Sequence, residues 1–157
     1  SNTVRQVAEL IDLGANLSKL EEDRRERMKR SVRITRYKGQ LLGRIEFLLS
    51  NQLALVVIPW EEIEEYSHEY NPGALIGEEM RMTEGVEISL AVKTYNNGRL
   101  TARIRSKQGT GLAGKLAAEF DGGGHPNAAG FKLFNTSIEE VKPKIVEVVN
   151  RLLQEQQ

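Results

Sequence analysis

Two segments of strict alternation, Val86–Tyr95 and Arg99–Ser106, are separated only by Asn96-Asn97-Gly98 and constrain this chain more than any other feature. Apolar residues at every second position mark a strand with one buried face. In the first segment Val86, Ile88, Leu90 and Val92 alternate with Glu87, Ser89, Ala91 and Lys93; in the second Leu100, Ala102 and Ile104 alternate with Arg99, Thr101, Arg103 and Arg105. A two-residue Asn97-Gly98 turn would pair Val92 with Arg103 and mix the apolar and charged faces. A three-residue loop of Asn96, Asn97 and Gly98 instead pairs Leu90 with Ile104 and Ser89 with Arg105, which keeps each face uniform. Register follows the buried face, and a glycine in the last loop position suits a G1 bulge. The sequence therefore predicts this hairpin, with Arg103 and Arg105 on one polar face.

The remaining elements build around it. Leu53–Ile58 is a continuous apolar run closed by Pro59, as expected of a strand buried on both faces. Short helices are predicted over 61–69 and, with Pro72 in the first turn, over 72–82. Leu112, Ala113, Leu116, Ala117 and Phe120 form the apolar stripe of a helix that delivers the chain to Gly122. A strand over 128–134 follows, and Ser137 with Glu140 makes a capping box for a last amphipathic helix interrupted by Pro143. Upstream, Val4, Val7, Ala8, Leu10 and Ile11 have helical spacing ended by Gly14, and Ser18 with Glu21 reads as a second capping box. No proline stops that second helix before Leu49, so a long connector helix is predicted, basic from Arg24 to Lys38 and apolar from Leu41 onward. The expected fold is α/β: a small mixed sheet of about four strands with flanking helices. Residues 1–50 form the connector helices and 51–157 the sheet domain.

The stretch Gly122-Gly123-Gly124-His125-Pro126-Asn127-Ala128-Ala129-Gly130-Phe131 carries the chemistry. Consecutive glycines tolerate positive φ and let backbone N–H groups converge on an anion, most often phosphate. The plainer reading, a helix C-cap with a loose turn, needs one glycine. His125 adds a donor that becomes cationic near neutral pH, and before Pro126 it favours extended backbone. Arginine's planar fork matches phosphate oxygens in bidentate fashion, which nominates Arg105 and, behind it, Arg103. Ser106 and Asn127 complete a candidate substrate-binding set of Arg103, Arg105, Ser106, Gly122, Gly123, Gly124, His125 and Asn127.

GGGHPNAAGF resembles the GGGH–AAGF signature of the DHH-associated domain of the first type, the C-terminal half of DHH phosphoesterases, and Arg105-Ser106 matches that family's second landmark. Two positions depart from the pattern. Asp121 stands where many members have a further glycine, and the loop Lys107–Gly111 lacks an acidic or hydroxyl N-cap before Leu112. The resemblance implies a substrate-binding domain for a short single-stranded oligonucleotide or a nucleotide. It also implies a catalytic DHH domain in cis that holds manganese.

Composition agrees with a localised site rather than a broad one. With 22 basic and 22 acidic side chains the chain has no overall positive field for gripping duplex DNA. It has no cysteine, hence no disulfide, thiolate nucleophile or cysteine-bound zinc. Asp12, Asp23 and Asp121 are its aspartates and His68 and His125 its histidines, scattered over unrelated segments. Two-metal hydrolysis needs several such groups converging, so this stretch is expected to bind substrate without cleaving it and to need no cofactor of its own. No apolar run is long enough for a membrane span and no signal peptide opens the chain, making the cytoplasm the default location. Two other readings stay open: a non-catalytic nucleic-acid module of the type that engages tRNA in alanyl-tRNA synthetases, and a scaffold that forms a homodimer through the connector helix.

Overall fold

A computed structural model describes residues 2–156. They divide into two compact units with the boundary between Arg33 and Ile34. The first unit holds two helices, α1 (Asn2–Asp12) and α2 (Leu17–Arg27), neither with a buried residue. Gly14 turns the chain between them at φ +95°. The cap of α2 is Asn16, whose side chain accepts from the Lys19 N–H at 3.0 Å. Ser18 and Glu21 therefore do not form the predicted capping box; Glu21 pairs with Arg24 and Arg25 along the helix.

The predicted long connector helix is instead three elements. After α2 ends at Arg27, α3 runs over Val32–Gly43 and a short strand, β1 (Glu46–Leu48), follows. Burial decides this rather than propensity. Ile34, Tyr37 and Leu41 of α3 are buried against the sheet, whereas α2 buries nothing that would continue the helix. Residues 46–48 then pair antiparallel with β2 (Leu53–Ile58), through a turn in which Leu49, Ser50 and Asn51 all adopt positive φ.

From β2 the chain passes through α4 (Trp60–Tyr66) and α5 (Pro72–Arg81) into β3 (Ile88–Thr94), β4 (Leu100–Ser106), α6 (Leu112–Ala118), β5 (Gly123–His125), β6 (Ala128–Leu133) and α7 (Ile138–Gln154). The sheet has six strands in the order β1-β2-β3-β4-β6-β5. Only β2 and β3 run parallel, joined by the α4–α5 crossover. The two strands beyond the predicted four, β1 and β5, are three-residue edge strands. Neither has a strand-like pattern; each forms because a neighbouring strand offers unpaired N–H and C=O groups. The β3–β4 register is the predicted one, Leu90 opposite Ile104 and Ser89 opposite Arg105, with Gly98 at φ +71° closing the loop.

Both faces of the sheet are packed, and each has its own core. Alternate residues Leu53, Leu55, Leu90, Val92, Ile104 and Phe131 meet α6 and α7 on one side. Helix α7 continues through Pro143, and its Ser137–Glu140 capping box is formed at both bonds. On the other side Ala54, Val56, Ile58 and Ala91 meet α3, α4 and α5. Tyr37 lies there, donating to Glu62 at 2.8 Å while Arg44 grips the same carboxylate. Burial raises the Tyr37 phenol far above its ordinary value, and the Glu62 hydrogen bond adds to the effect. Beta-strand β3 begins at Ile88 rather than Val86, since the Glu87 and Ile88 N–H groups both donate to the Gln52 carbonyl and Val86 turns into the second core. The predicted polar face is thus covered over β2 and β3, where Ser89 is 2% exposed, and open over β4, β6 and β5.

The end of α6 shows why the chain turns as it does. Asp121 adopts the left-handed conformation at φ +53°, and the Gly122 N–H reaches back to the Ala117 carbonyl at 2.8 Å while the Asp121 N–H bonds Ala118. This is a Schellman ending with aspartate in the place that glycine favours. A Cβ on Gly122 would collide with the Gly130 carbonyl, and one on Gly130 would stand 2.5 Å from the Ala102 carbonyl. Asp121→Gly should raise stability by roughly 0.5–1 kcal/mol. Gly130→Ala should lower it by about 2–4 kcal/mol through overpacking. Urea denaturation of the two variants beside the parent checks both signs.

Candidate functional site

The register of four strands brings the sequence-nominated residues onto the open face in two rows. Ser89, Arg105, Ala128 and His125 stand side by side across β3, β4, β6 and β5. Next to them Ala91, Arg103, Gly130 and Gly123 form a second row. With strands about 4.8 Å apart, Arg105 and His125 are separated by roughly 10 Å across a floor of Ala128 and Gly130. Small residues between two polar walls leave space for a ligand to lie on the β6 backbone.

The arginine wall is strongly positive. Burial pushes the Arg105 guanidinium below its ordinary value, and the neighbouring charges of Arg103 and then Arg81 push it further. Arg105 spends one donor on its own neighbour, the Ile104 carbonyl, at 3.0 Å. Neither Arg103 nor Arg105 has a carboxylate partner among the described residues; Arg81 alone of the three is paired, with Glu78 on the same helix at 2.9 Å. A cavity of about 470 Å³ lies between Arg81, Val86, Glu87, Arg105 and Gln108. One of about 160 Å³ continues along Arg81, Ala91, Arg103 and Arg105.

Beyond the arginines, Gly123, Gly124 and His125 are exposed on an extended edge strand rather than curled into the predicted concave loop. The reason is pairing: β6 takes one edge of β5, and alternate N–H groups on its other edge point to solvent. The three glycines differ in what holds them. The Gly122 N–H is spent on the α6 ending. Gly124 has φ +143°, and a Cβ there would meet Ala129 Cα at 2.7 Å. Gly123 meets nothing within 4 Å and lies outside the positive-φ region, so the fold does not require it to be glycine. His125 Nδ1 accepts from the Asn127 N–H at 3.2 Å. A neutral imidazole held this way carries its proton on Nε2 and presents it as a donor.

Ser106, buried, and Asn127, half-buried, form the frame of this surface. Ser106 is 4% exposed, and its Oγ accepts from the Ala113 N–H at 3.2 Å and bonds Asn127 Oδ1 at 3.4 Å. Asn127 Oδ1 also accepts from the Gly111 N–H at 3.1 Å, and Thr110 Oγ1 accepts from Leu112. The Gly114 N–H donates to the Pro126 carbonyl at 2.9 Å. The start of α6 is therefore capped by Ser106 and Asn127 from outside and by Thr110 of the loop itself, which is why Gly111 needs no capping side chain of its own.

The DHHA1 domain profile matches residues 53–155. This chain belongs to the DHHA1 domain family. An exopolyphosphatase-related protein from Bacteroides fragilis shares its fold with a TM-score of 0.78 at 24% identity, over 98% of this chain and 45% of that one. A pGpG-specific phosphodiesterase from Vibrio cholerae is similar with a TM-score of 0.51 at 15% identity, over 74% of this chain and 38% of that one. This chain thus spans less than half the length of either protein. No curated protein sequence matches it.

Among the described residues no group of three or more histidine or acidic side chains could hold a metal ion. Nor is any helix among the described residues long and apolar enough to cross a membrane. Sequence reading missed Arg81, because its helix reaches the site only through the crossover, and Lys93, whose place beside Arg103 emerges once register and cover are known. Ser106→Ala should lower stability by about 1–2 kcal/mol by leaving the Ala113 N–H unpaired. Gly123→Ala should stay within about 0.5 kcal/mol of the parent. Thermal unfolding of both separates frame from surface.

Proposed function

We propose that this DHHA1 domain binds the phosphate of a short oligonucleotide or nucleotide, as the substrate-holding half of a DHH-type phosphoesterase whose catalytic DHH domain lies in cis. One observation carries the reading: Arg103 and Arg105 share an open face with His125 and Gly123, and neither arginine has a carboxylate among the described residues. Cations crowded together without counter-charge are stabilised by an anion, and a guanidinium binds phosphate through two parallel N–H bonds. His125 would add its Nε2–H from the opposite wall, and Gly123 would let the phosphate approach the backbone. Bond cleavage would belong to the DHH domain. Both structurally similar proteins are named for phosphate chemistry, which agrees with this reading.

The chain's part is to orient and neutralise the phosphate, which lowers the charge repulsion that an incoming nucleophile meets. Titrating the chain with a 5′-phosphorylated trinucleotide should shift the His125 imidazole NMR signals saturably. Arg105→Ala should weaken binding at least about tenfold, the loss of one charge-assisted bidentate pair. Gly123→Val should weaken it several-fold at unchanged thermal stability. A trinucleotide that leaves the His125 signals unmoved at millimolar concentration, or that binds Arg105→Ala as tightly as the parent, sinks the proposal.

A further inference from the structure

The open face continues past the two rows already described. Lys93, Thr101 and Lys132 form the next row across β3, β4 and β6. A cavity of about 230 Å³ lies here, lined by Asn71, Lys93, Tyr95, Thr101 and Arg103, with no carboxylate in its lining. Lys93 is half-buried, and its ammonium donates to the Asn71 side-chain oxygen at 2.9 Å, an acceptor it shares with the Gly73 N–H at 3.1 Å. An ammonium has three donors, and the neutral amide oxygen leaves its charge uncompensated. Burial pushes Lys93 below its ordinary value; Tyr95 opposes this and Arg103 reinforces it. Two cations face one cavity beside a hydroxyl.

Building on the phosphate reading above, we propose that Lys93, Thr101 and Arg103 form a second phosphate subsite, so that this domain grips a single-stranded oligonucleotide by at least two phosphates. Spacing selects that ligand. Rows two residues apart along a strand lie about 6.7 Å apart, so the Arg105, Arg103 and Lys93 rows span about 13 Å in two equal steps. A sugar between successive phosphates sets a separation of this kind along an extended strand. In an inorganic polyphosphate, neighbouring phosphorus atoms share one oxygen and sit far closer. A mononucleotide has a single phosphate group and would occupy the Arg105 end alone.

The test compares a 5′-phosphorylated trinucleotide, a 5′-mononucleotide and inorganic tripolyphosphate, each titrated into the chain at several salt concentrations. The trinucleotide should bind at least about tenfold tighter than the mononucleotide. Lys93→Gln should cost the trinucleotide about five- to tenfold and leave mononucleotide binding unchanged. It should also flatten the logarithmic salt dependence of trinucleotide binding by about 0.7, the loss of one phosphate contact. Lys93→Arg should restore both. Thr101→Ala, on the same cavity, should show the same selective loss and serves if Lys93→Gln does not fold. Equal binding of trinucleotide and mononucleotide, with Lys93→Gln silent on both, overturns the second subsite and leaves the Arg105 site standing. Tripolyphosphate that matches the trinucleotide in affinity and in dependence on Lys93 overturns the oligonucleotide assignment. Failure of the parent chain to bind any of the three overturns the underlying phosphate reading as well.

Discussion

The pairing of β4 with β3 on one edge and β6 on the other is the constraint on which the site depends. A strand's side chains alternate between faces, so a slip of one residue would carry Arg103 and Arg105 into the core beneath α6 and α7 and bring Ala102 and Ile104 to solvent. Burying two unpaired guanidiniums is prohibitive, which makes the register a deep minimum. The same register puts Ala128 and Gly130 of β6 opposite the arginines and passes the alignment on to Gly123 and His125 of β5. Chemistry from segments that are distant in the chain is gathered by one ladder of hydrogen bonds.

Close packing at β6 supports that ladder. Gly130 lets the Ala102 carbonyl approach, and Gly122 lets the chain leaving α6 press against Gly130 and Phe131. Phe120 and Phe131 stack at 4.5 Å just below, tying the end of α6 to the sheet. Three glycines of the signature, Gly122, Gly124 and Gly130, are therefore steric necessities of the fold, and the fourth, Gly123, is free of that duty. The division matters for function: what looked like one anion-binding loop is a helix ending, a close backbone crossing and an exposed edge strand in succession.

The frame of the surface caps the start of α6 with distant polar groups beside the local Thr110 hydroxyl. Ser106 and Asn127 bond each other and satisfy N–H groups in the first turn of α6, while the Asn127 N–H holds the His125 ring by its Nδ1. The end of β4, the start of α6 and the histidine are thus tied to one another through Ser106 and Asn127. A serine adjacent to an arginine on an open face reads in sequence as a second ligand; its 4% exposure and its bonds to Asn127 and Ala113 place it in the frame between the arginine's strand and the following helix.

Period and turn chemistry were enough, without coordinates, to read the β3–β4 hairpin and its three-residue loop, the doubly buried β2, the stripe of α6 and the capping box of α7, because each rests on local spacing. Side-chain chemistry and the family resemblance nominated Arg103, Arg105 and His125 as candidate phosphate ligands, which the register places on one face. Tertiary structure alone decided the rest. Whether residues 46–48 and 123–125 become strands depends on an unpaired neighbouring edge, and whether 17–49 is one helix depends on which of its faces is buried. Arg81 and Lys93 join the arginines only when a crossover and a register bring them there. Local patterns record what a segment needs to bury; which partner buries it, and which charges are then left facing one another, is a property of the whole fold.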